Sequence, residues 1–199
     1  MPETHSATLR LFFAIELADE IKNKLNILIQ HLREQPGGKH LKWSPVEKLH
    51  ITLRFLGQTS REKMLLCLQQ VKEHIAAIPA FNLQLATHII TFPPHHSRMI
   101  AMLSPLTVEL ARLYQAVEQA AVHAGFMPET RPFLPHITLV RVPNWHHQTM
   151  SELIASAPHL DLPPQTISYI TLFRSDAAND GQVYKVVERL PLNKTSDSV

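Results

Sequence analysis

The tetrapeptide His-Ile-Thr-Leu occurs twice in the chain, at residues 50–53 and at residues 136–139. A β-strand points successive side chains to opposite faces, so His and Thr of each copy share one face while Ile and Leu share the other. The aliphatic residues are therefore candidates for the core. The polar residues are candidates for a functional site: His50, Thr52, His136 and Thr138.

Two such histidines suit acid–base chemistry at phosphorus. An in-line displacement needs a base on the attacking oxygen and an acid on the leaving oxygen, and two groups with pKa near ~6.5 can hold one proton between them at neutral pH. Threonine hydroxyls can hydrogen-bond the non-bridging phosphate oxygens, and a nearby arginine can neutralise the developing charge. If each half of a site needs one histidine and one threonine, the stretch has a reason to appear twice.

Each copy also ends the same succession of predicted elements. Residues 9–54 show the pattern of strand, long helix, loop and strand, and residues 98–141 repeat that order. Leu9 precedes His50 by 41 positions (50 − 9), and Arg98 precedes His136 by 38 (136 − 98). This match predicts an internal duplication in an α+β fold. We expect two pseudo-twofold-related lobes, each with a mainly antiparallel sheet flanked by helices, and a site in the cleft between them.

The remaining elements follow from apolar periodicity and from turn and cap residues. Strands are predicted at residues 9–15, 49–56, 81–92, 98–103, 131–142, 165–174 and 182–190. Helices are predicted at 19–34, from a Thr59–Glu62 capping box to Pro79, from an N-cap at Ser104 to Gly125, and near 147–156. One domain is expected over residues 1–192, followed by a disordered polar tail at 193–199.

Bulk composition narrows the class of protein. A chain of 199 residues with 45% hydrophobic and 18% charged residues fits one globular domain. The formal net charge of +2 allows an anionic small substrate or an RNA end, but there is no basic tract of the kind that coats nucleic acid. The single cysteine, Cys67, excludes an internal disulfide and is expected to be a buried thiol on a helix. No apolar run reaches the ~18 residues of a membrane span and no signal peptide is visible, so we predict a cytoplasmic monomer without membrane contact.

Four stretches of the chain resemble the 2H phosphoesterases, a family defined by two His-x-Thr/Ser-x motifs in a bilobal α+β fold. They are RLFFAI at 10–15, LHITLRFLG at 49–57, RPFLPHITLVR at 131–141, and a weaker late strand with Gly181 and Tyr184. More narrowly, the chain resembles the bacterial RNA 2′,3′-cyclic phosphodiesterase branch over about residues 8–190.

The resemblance implies that His50 and His136 are the catalytic pair and that Thr52 and Thr138 are phosphate ligands. It further implies that His136 activates water and that His50 protonates the departing ribose O3′. The product is then an RNA 2′-phosphate.

Two arginines are further candidates for substrate binding. The family usually carries an arginine where Arg141 stands, but an ideal strand would point Arg141 away from His136 unless a bulge or twist re-aims it. Arg54 stands where many relatives have a small residue. By strand parity it shares the face of His50 and Thr52, so it is either a phosphate or RNA contact or an ordinary surface charge.

Aromatic residues near the motifs are predicted to be core residues: Phe12, Phe13, Trp43 and Phe133. Any one of them at the cleft rim could stack on a base, and the sequence does not distinguish among them.

These observations predict hydrolysis of RNA 2′,3′-cyclic phosphodiester ends to 2′-phosphomonoesters, with 2′-5′ ligation as the reverse direction. The partner is then RNA with a cyclic phosphate end or a small cyclic nucleotide. No cofactor or metal is expected, because zinc sites need three or four ligands and no further His, Asp or Glu alternates with the motif histidines. One alternative is a 2H enzyme for 2′-5′-linked oligonucleotides or small cyclic nucleotide metabolites. Another is a non-catalytic RNA-end binding module, which the histidines disfavour because Arg and Lys stay charged and serve binding better.

Overall fold

The computed structural model describes residues 8–92, 99–142, 147–179 and 181–193, except for the side chains of 147–149. The strands are β1 Leu9–Glu16, β2 His50–Thr59, β3 Phe81–Leu83, β4 Ile89–Phe92, β5 Met99–Leu103, β6 His136–Arg141, β7 Gln165–Ile167, β8 Tyr169–Ala178 and β9 Gly181–Pro191. The helices are α1 Asp19–Glu34, α2 Arg61–Ile75, α3 Val108–His123 and α4 His147–Ala155, with a 3₁₀ turn at Val46–Lys48. Seven strands form one sheet in the order β4-β5-β6-β2-β1-β8-β9, and β3 pairs with β7.

The two copies of the repeated unit meet at the centre of the sheet. There β2 and β6 run antiparallel through one registered pair, Ile51 and Ile137, which hold the same place in the two tetrapeptides. These strands are the last elements of the two repeated units, β1-α1-β2 and β5-α3-β6. The helices of the two units, α1 and α3, each have 16 residues. The predicted α+β fold with pseudo-twofold-related halves is confirmed. The two expected sheets are halves of one continuous sheet, because β2 and β6 pair edge to edge.

The core is shared by both halves. The aliphatic residues of the two tetrapeptides are at most 3% exposed, as their strand parity predicted: Ile51, Leu53, Ile137 and Leu139. Apolar stripes from the helices join the same cluster, and α3 packs against α2 and β2. Cys67 is buried on α2 as expected, and burial raises the pKa of its thiol to about 11. Within the described ranges, none of the helices has the length and apolar content that a membrane span requires.

Two helix starts were predicted wrongly. The cap of α2 is Ser60, which accepts from the amide of Lys63, because Thr59 still pairs with β1 as the last residue of β2. The cap of α3 is Thr107, because the amide of Ser104 donates to the Pro135 carbonyl beside the start of β6.

Two strand boundaries also differ from the prediction. β2 continues through Gly57, which adopts a φ of 67° within the strand. The predicted strand at 81–92 is two short strands, β3 and β4, that belong to different sheets. The first residue of the predicted tail, Asn193, makes two backbone hydrogen bonds: its amide donates to the Ile78 carbonyl, and its carbonyl accepts from the Ala80 amide. Residues 194–199 lie outside the described residues.

A β-bulge at Leu53 changes the direction of Arg54. Thr52 and Arg54 pair with consecutive residues of β1, Ala14 and Phe13, so Leu53 is an extra residue in β2. A bulge shifts the alternation of faces by one residue. The prediction that Arg54 lies on the face of the motif histidine was therefore wrong.

Arg54 lies instead in a buried ionic cluster that links β2 to α3 and the loop after it. Its side chain is 9% exposed, and its Nε is 2.6 Å from Glu118 Oε2. Its Nη1 is 3.8 Å from Glu129 Oε2, and its Nη2 donates to the Met127 carbonyl. With these partners the guanidinium holds α3 against β2 and is not directed at the site.

Replacing Arg54 with Met should lower the free energy of unfolding by about 3 kcal/mol, because Glu118 would keep its charge in a largely buried place without its cation. Urea unfolding followed by circular dichroism measures this loss. The double variant Arg54→Met, Glu118→Gln should recover part of it, since that charge is then gone as well. A single variant as stable as the parent would show that the cluster contributes nothing to stability.

Candidate active site

The two motif histidines are held by the same hydrogen bond. His50 Nδ1 lies 2.7 Å from the Lys48 carbonyl oxygen, and His136 Nδ1 lies 2.7 Å from the Leu134 carbonyl oxygen. A carbonyl oxygen only accepts, so each Nδ1 carries a proton and donates it. Each Nε2 is then the unprotonated nitrogen that can accept a proton. The two copies of the motif therefore have the same tautomer and the same ring orientation.

The central register brings the four predicted motif residues to one face. With Ile51 opposite Ile137, the antiparallel count sets His50 across from Thr138 and Thr52 across from His136. Besides burial, a charge on His136 lowers the pKa of His50, so the two rings interact electrostatically.

The two threonine hydroxyls have different partners. Thr52 Oγ1 lies 3.0 Å from His50 Nε2, so it can donate to the neutral ring. Thr138 Oγ1 donates to Met99 Sδ at 3.5 Å. A thioether sulfur is a weak acceptor, so the Thr138 hydroxyl can exchange it for a phosphate oxygen at little cost.

A second β-bulge, at Leu139, returns Arg141 to the site. Leu139 is an extra residue in β6, since its two neighbours pair with the consecutive residues Ile100 and Ala101 of β5. The alternation shifts by one, and Arg141 takes the face of His136. In addition to burial, the charge of Arg141 lowers the pKa of both motif histidines, so its guanidinium is close enough to act on each.

Burial is the main cause of low histidine basicity here. It lowers the pKa of His50 and of His136 more than any other cause, and the carbonyl bonds to Nδ1 oppose it only in part. At neutral pH the free site therefore holds mostly neutral imidazoles. A positively charged acid requires an anion nearby, as a bound phosphate would provide.

Aromatic rings surround His50 on one side. Phe12 is the centre of this cluster, with its ring centroid 5.0 Å from His50, 5.3 Å from Phe173, 5.7 Å from Phe55 and 5.0 Å from Tyr184. Phe55 is 52% exposed and so presents a free ring face beside the site. We call the four aromatic residues Phe12, Phe55, Phe173 and Tyr184 the aromatic floor.

A cleft of about 400 Å³ opens at His50. Its lining combines part of the aromatic floor with polar and charged side chains: Glu16, Lys22, Glu47, Lys48, His50, Phe173 and Tyr184. The second motif histidine has only one ring neighbour among the described contacts, Phe92 at 4.4 Å. The site is thus aromatic on the side of His50 and carries Arg141 on the side of His136.

The chain is similar in sequence to a family of known proteins. The family model described as LigT like Phosphoesterase matches residues 15–98 and 100–190. The chain belongs to the LigT-like phosphoesterase family. An RNA 2′,3′-cyclic phosphodiesterase of Methanocaldococcus jannaschii is 26% identical over 181 residues, which is 90% of this chain and 99% of the relative.

Solved structures of the same family are also similar. Escherichia coli LigT in its apo form matches with a TM-score of 0.70 and 26% identity, over 94% of this chain and 99% of that one. The same protein complexed with 3′-AMP matches with a TM-score of 0.70 and 25% identity, over 93% and 98%. The resemblance to the 2H phosphoesterases that the motifs carried is confirmed.

The sequence analysis predicted Arg141 but missed Phe55 and Phe173, the aromatic residues beside His50 in this LigT-like phosphoesterase. Phe55 lies five positions after His50, and Arg141 lies five positions after His136. Aligning the two copies beyond the tetrapeptide would have shown the aromatic residue in the place of the arginine. Phe173 and the cleft lysines have no such signal, because they reach the site from other elements.

Replacing Arg141 with Gln should raise the pKa of both motif histidines, because its positive charge opposes their protonation. In the parent, both should titrate below the ordinary value near ~6.5. Proton NMR of the imidazole Cε1–H signals, assigned with His50→Ala and His136→Ala, measures the shift. The control Arg112→Gln, on α3, should leave both values unchanged. Two titrations that stay in place in Arg141→Gln would show that this side chain does not face the histidines.

Proposed function

We propose that this LigT-like phosphoesterase hydrolyses 2′,3′-cyclic phosphate ends of RNA to 2′-phosphomonoesters by two-histidine acid–base catalysis. One observation carries the proposal: two histidines with the same Nδ1–carbonyl bond present Nε2 from equivalent positions on paired strands. In-line displacement needs groups on opposite sides of phosphorus, and a local twofold axis supplies them. The similar RNA 2′,3′-cyclic phosphodiesterases of Methanocaldococcus jannaschii and Thermotoga maritima support the same reaction.

In the proposed reaction, neutral His136 accepts a proton from water at Nε2 while the water oxygen attacks phosphorus. The P–O3′ bond breaks, and protonated His50 donates its Nε2 proton to O3′. The phosphate remains on O2′, and the two histidines end with exchanged protonation states, which solvent resets. Thr52 and Thr138 donate to non-bridging oxygens, and Arg141 offsets the charge that develops on them.

The asymmetry of the site supports the assignment of the acid to His50. The departing O3′ stays attached to the nucleoside, so the acid must lie on the side where the nucleoside binds. The aromatic floor lies beside His50, and exposed aromatic rings are the usual platform for an unpaired base. The side of His136 carries the charge of Arg141, which suits the phosphate oxygens.

The identity of the nucleotide at this site is a proposal too. Escherichia coli LigT forms a complex with 3′-AMP, a single nucleotide, so a small cyclic nucleotide is a second candidate substrate for this chain. Both histidines come from one chain, which supports a monomer as the working unit. The monomeric state and the cytoplasmic location stay predictions.

An oligoribonucleotide ending in a 2′,3′-cyclic phosphate should be converted to the 2′-phosphate in the presence of EDTA, since no step of the proposed reaction uses a metal. His50→Ala and His136→Ala should each slow it by ~10² or more, because each removes a proton-transfer group. Chromatography against 2′- and 3′-phosphate standards identifies the product. His40→Ala, on an exposed loop, is the matched control and should keep the parent rate.

Several results of this assay would contradict the proposal. Loss of turnover in EDTA would favour a metal enzyme. A 3′-phosphate product would mean that the other ester bond breaks. Histidine variants as active as the parent would exclude the two-histidine mechanism, and binding of the RNA end without turnover would favour the binding-module alternative.

Removing exposed parts of the aromatic floor should weaken nucleoside binding more than it slows chemistry. Phe55→Ala and Tyr184→Ala should each raise KM by roughly 5- to 150-fold, the equivalent of ~1–3 kcal/mol for one stacked base. Initial rates over a range of substrate concentrations separate KM from kcat. Leu66→Ala, an exposed apolar residue on α2, serves as the control. An unchanged KM in both aromatic variants would place the base elsewhere.

A further inference from the structure

A second pair of histidines, outside the two motif copies, lies in direct contact. His74 lies in the last turn of α2 and His123 is the last residue of α3. His74 Nε2 and His123 Nδ1 are 3.1 Å apart, and the ring planes are inclined by 53°. Neither residue takes part in the proposed reaction, so this pair calls for a separate explanation.

A hydrogen bond fixes the tautomer of His74 so that its Nε2 carries a free lone pair. Its Nδ1 lies 2.8 Å from the Gln70 carbonyl oxygen, which only accepts, so Nδ1 carries the proton of the neutral ring. Histidines that bind metal commonly donate the other ring N–H to a carbonyl in this way, which fixes the tautomer and strengthens the ligand.

The separation of the two nitrogens is close to that of two ligands of one ion. Two nitrogens bound to one zinc ion at ~2.0–2.1 Å, with a tetrahedral angle, lie ~3.3–3.4 Å apart. The observed 3.1 Å is a hydrogen-bond distance between the two rings, and an increase of ~0.2–0.3 Å would make room for a shared ion. We propose that His74 and His123 form a binding site for a divalent zinc-class ion that links α2 to α3, separate from the metal-independent reaction proposed above.

Binding needs only a local rearrangement. His123 moves its proton from Nδ1 to Nε2, and small rotations bring both lone pairs to one point. Each neutral ring keeps one proton, so no net proton is released. Imidazole nitrogen suits Zn²⁺, Ni²⁺ and Cu²⁺ in particular.

The surroundings define the strength of such a site. Among the described residues, no group of three or more His, Cys, Asp or Glu could hold a metal ion, so water must complete the coordination. A cavity of about 200 Å³ beside His74 has room for that water and is also lined by Gln115, Gln119 and Arg112.

Calorimetric titration of the full chain with Zn²⁺ at pH 7.5 tests the proposal. The parent should show one site, and His74→Gln or His123→Gln should weaken it by at least ~10-fold, the lower end of the loss that even an outer-shell partner causes. His40→Gln, an exposed histidine outside the pair, should bind as the parent does. Gln119→His should bind more tightly, because Gln119 lies one helical turn before His123 on the same face of α3 and lines the cavity with His74, so that a third imidazole there adds a ligand.

Each opposite result would overturn the proposal. Zinc affinity that is unchanged in both histidine variants would exclude this pair as the ligands. Binding that disappears only in His50→Ala or His136→Ala would place the ion at the motif histidines. If the histidine variants fail to fold, Gln119→His decides alone, and an affinity no higher than that of the parent would contradict the proposal.

Discussion

The antiparallel contact between β2 and β6 is the constraint on which the rest of the site depends. It has one registered pair, Ile51 with Ile137, and both residues are fully buried. A slip of one residue would exchange the faces of a strand and put its histidine into the core. The aliphatic residues of the repeat therefore fix the register, and the register then sets where the polar residues between them point. The same tetrapeptide, His-Ile-Thr-Leu, therefore supplies residues to both the core and the candidate site.

The two motifs end in equivalent bulges, but the residues after those bulges differ between the copies. Leu53 and Leu139 are extra residues at the same position of their strands, so the residues after them change face in the same way in both copies. At the first position after the bulge, Arg54 enters an ionic cluster under α3 while Val140 simply enters the core. At the second position, one copy presents Phe55 and the other Arg141. Two equivalent strands thus carry an exposed aromatic ring after His50 and a cation after His136, an asymmetry that the proposed acid and base can use.

The features that could be predicted from the sequence are those that repeat or that follow a helix or strand period. Four motif residues, the long helices and the α+β class follow from spacing alone, because helix and strand periods are local properties. Arg54 was misplaced because a bulge is defined by the partner strand, and parity counted along one strand cannot show it. The caps of α2 and α3 were misplaced for a similar reason, since Thr59 and Ser104 are bonded to distant segments. Phe173 and Tyr184 reach His50 from β8 and β9, and only the assembled sheet brings them there.

The low basicity of both histidines suggests that the substrate itself sets the protonation state of the site. Burial and Arg141 favour neutral rings in the free protein, so the general base is ready while the general acid is mostly uncharged. In the proposed reaction, a cyclic phosphodiester with one negative charge lies between the two Nε2 atoms, where it would favour a proton on one of them. Arg141 partly offsets that charge on its own side of the site. Besides burial, Arg141 lowers the pKa of both histidines, so its charge alone does not select the ring that carries this proton. In the proposed reaction the aromatic floor distinguishes acid from base, because it would hold the nucleoside and its departing O3′ on the side of His50.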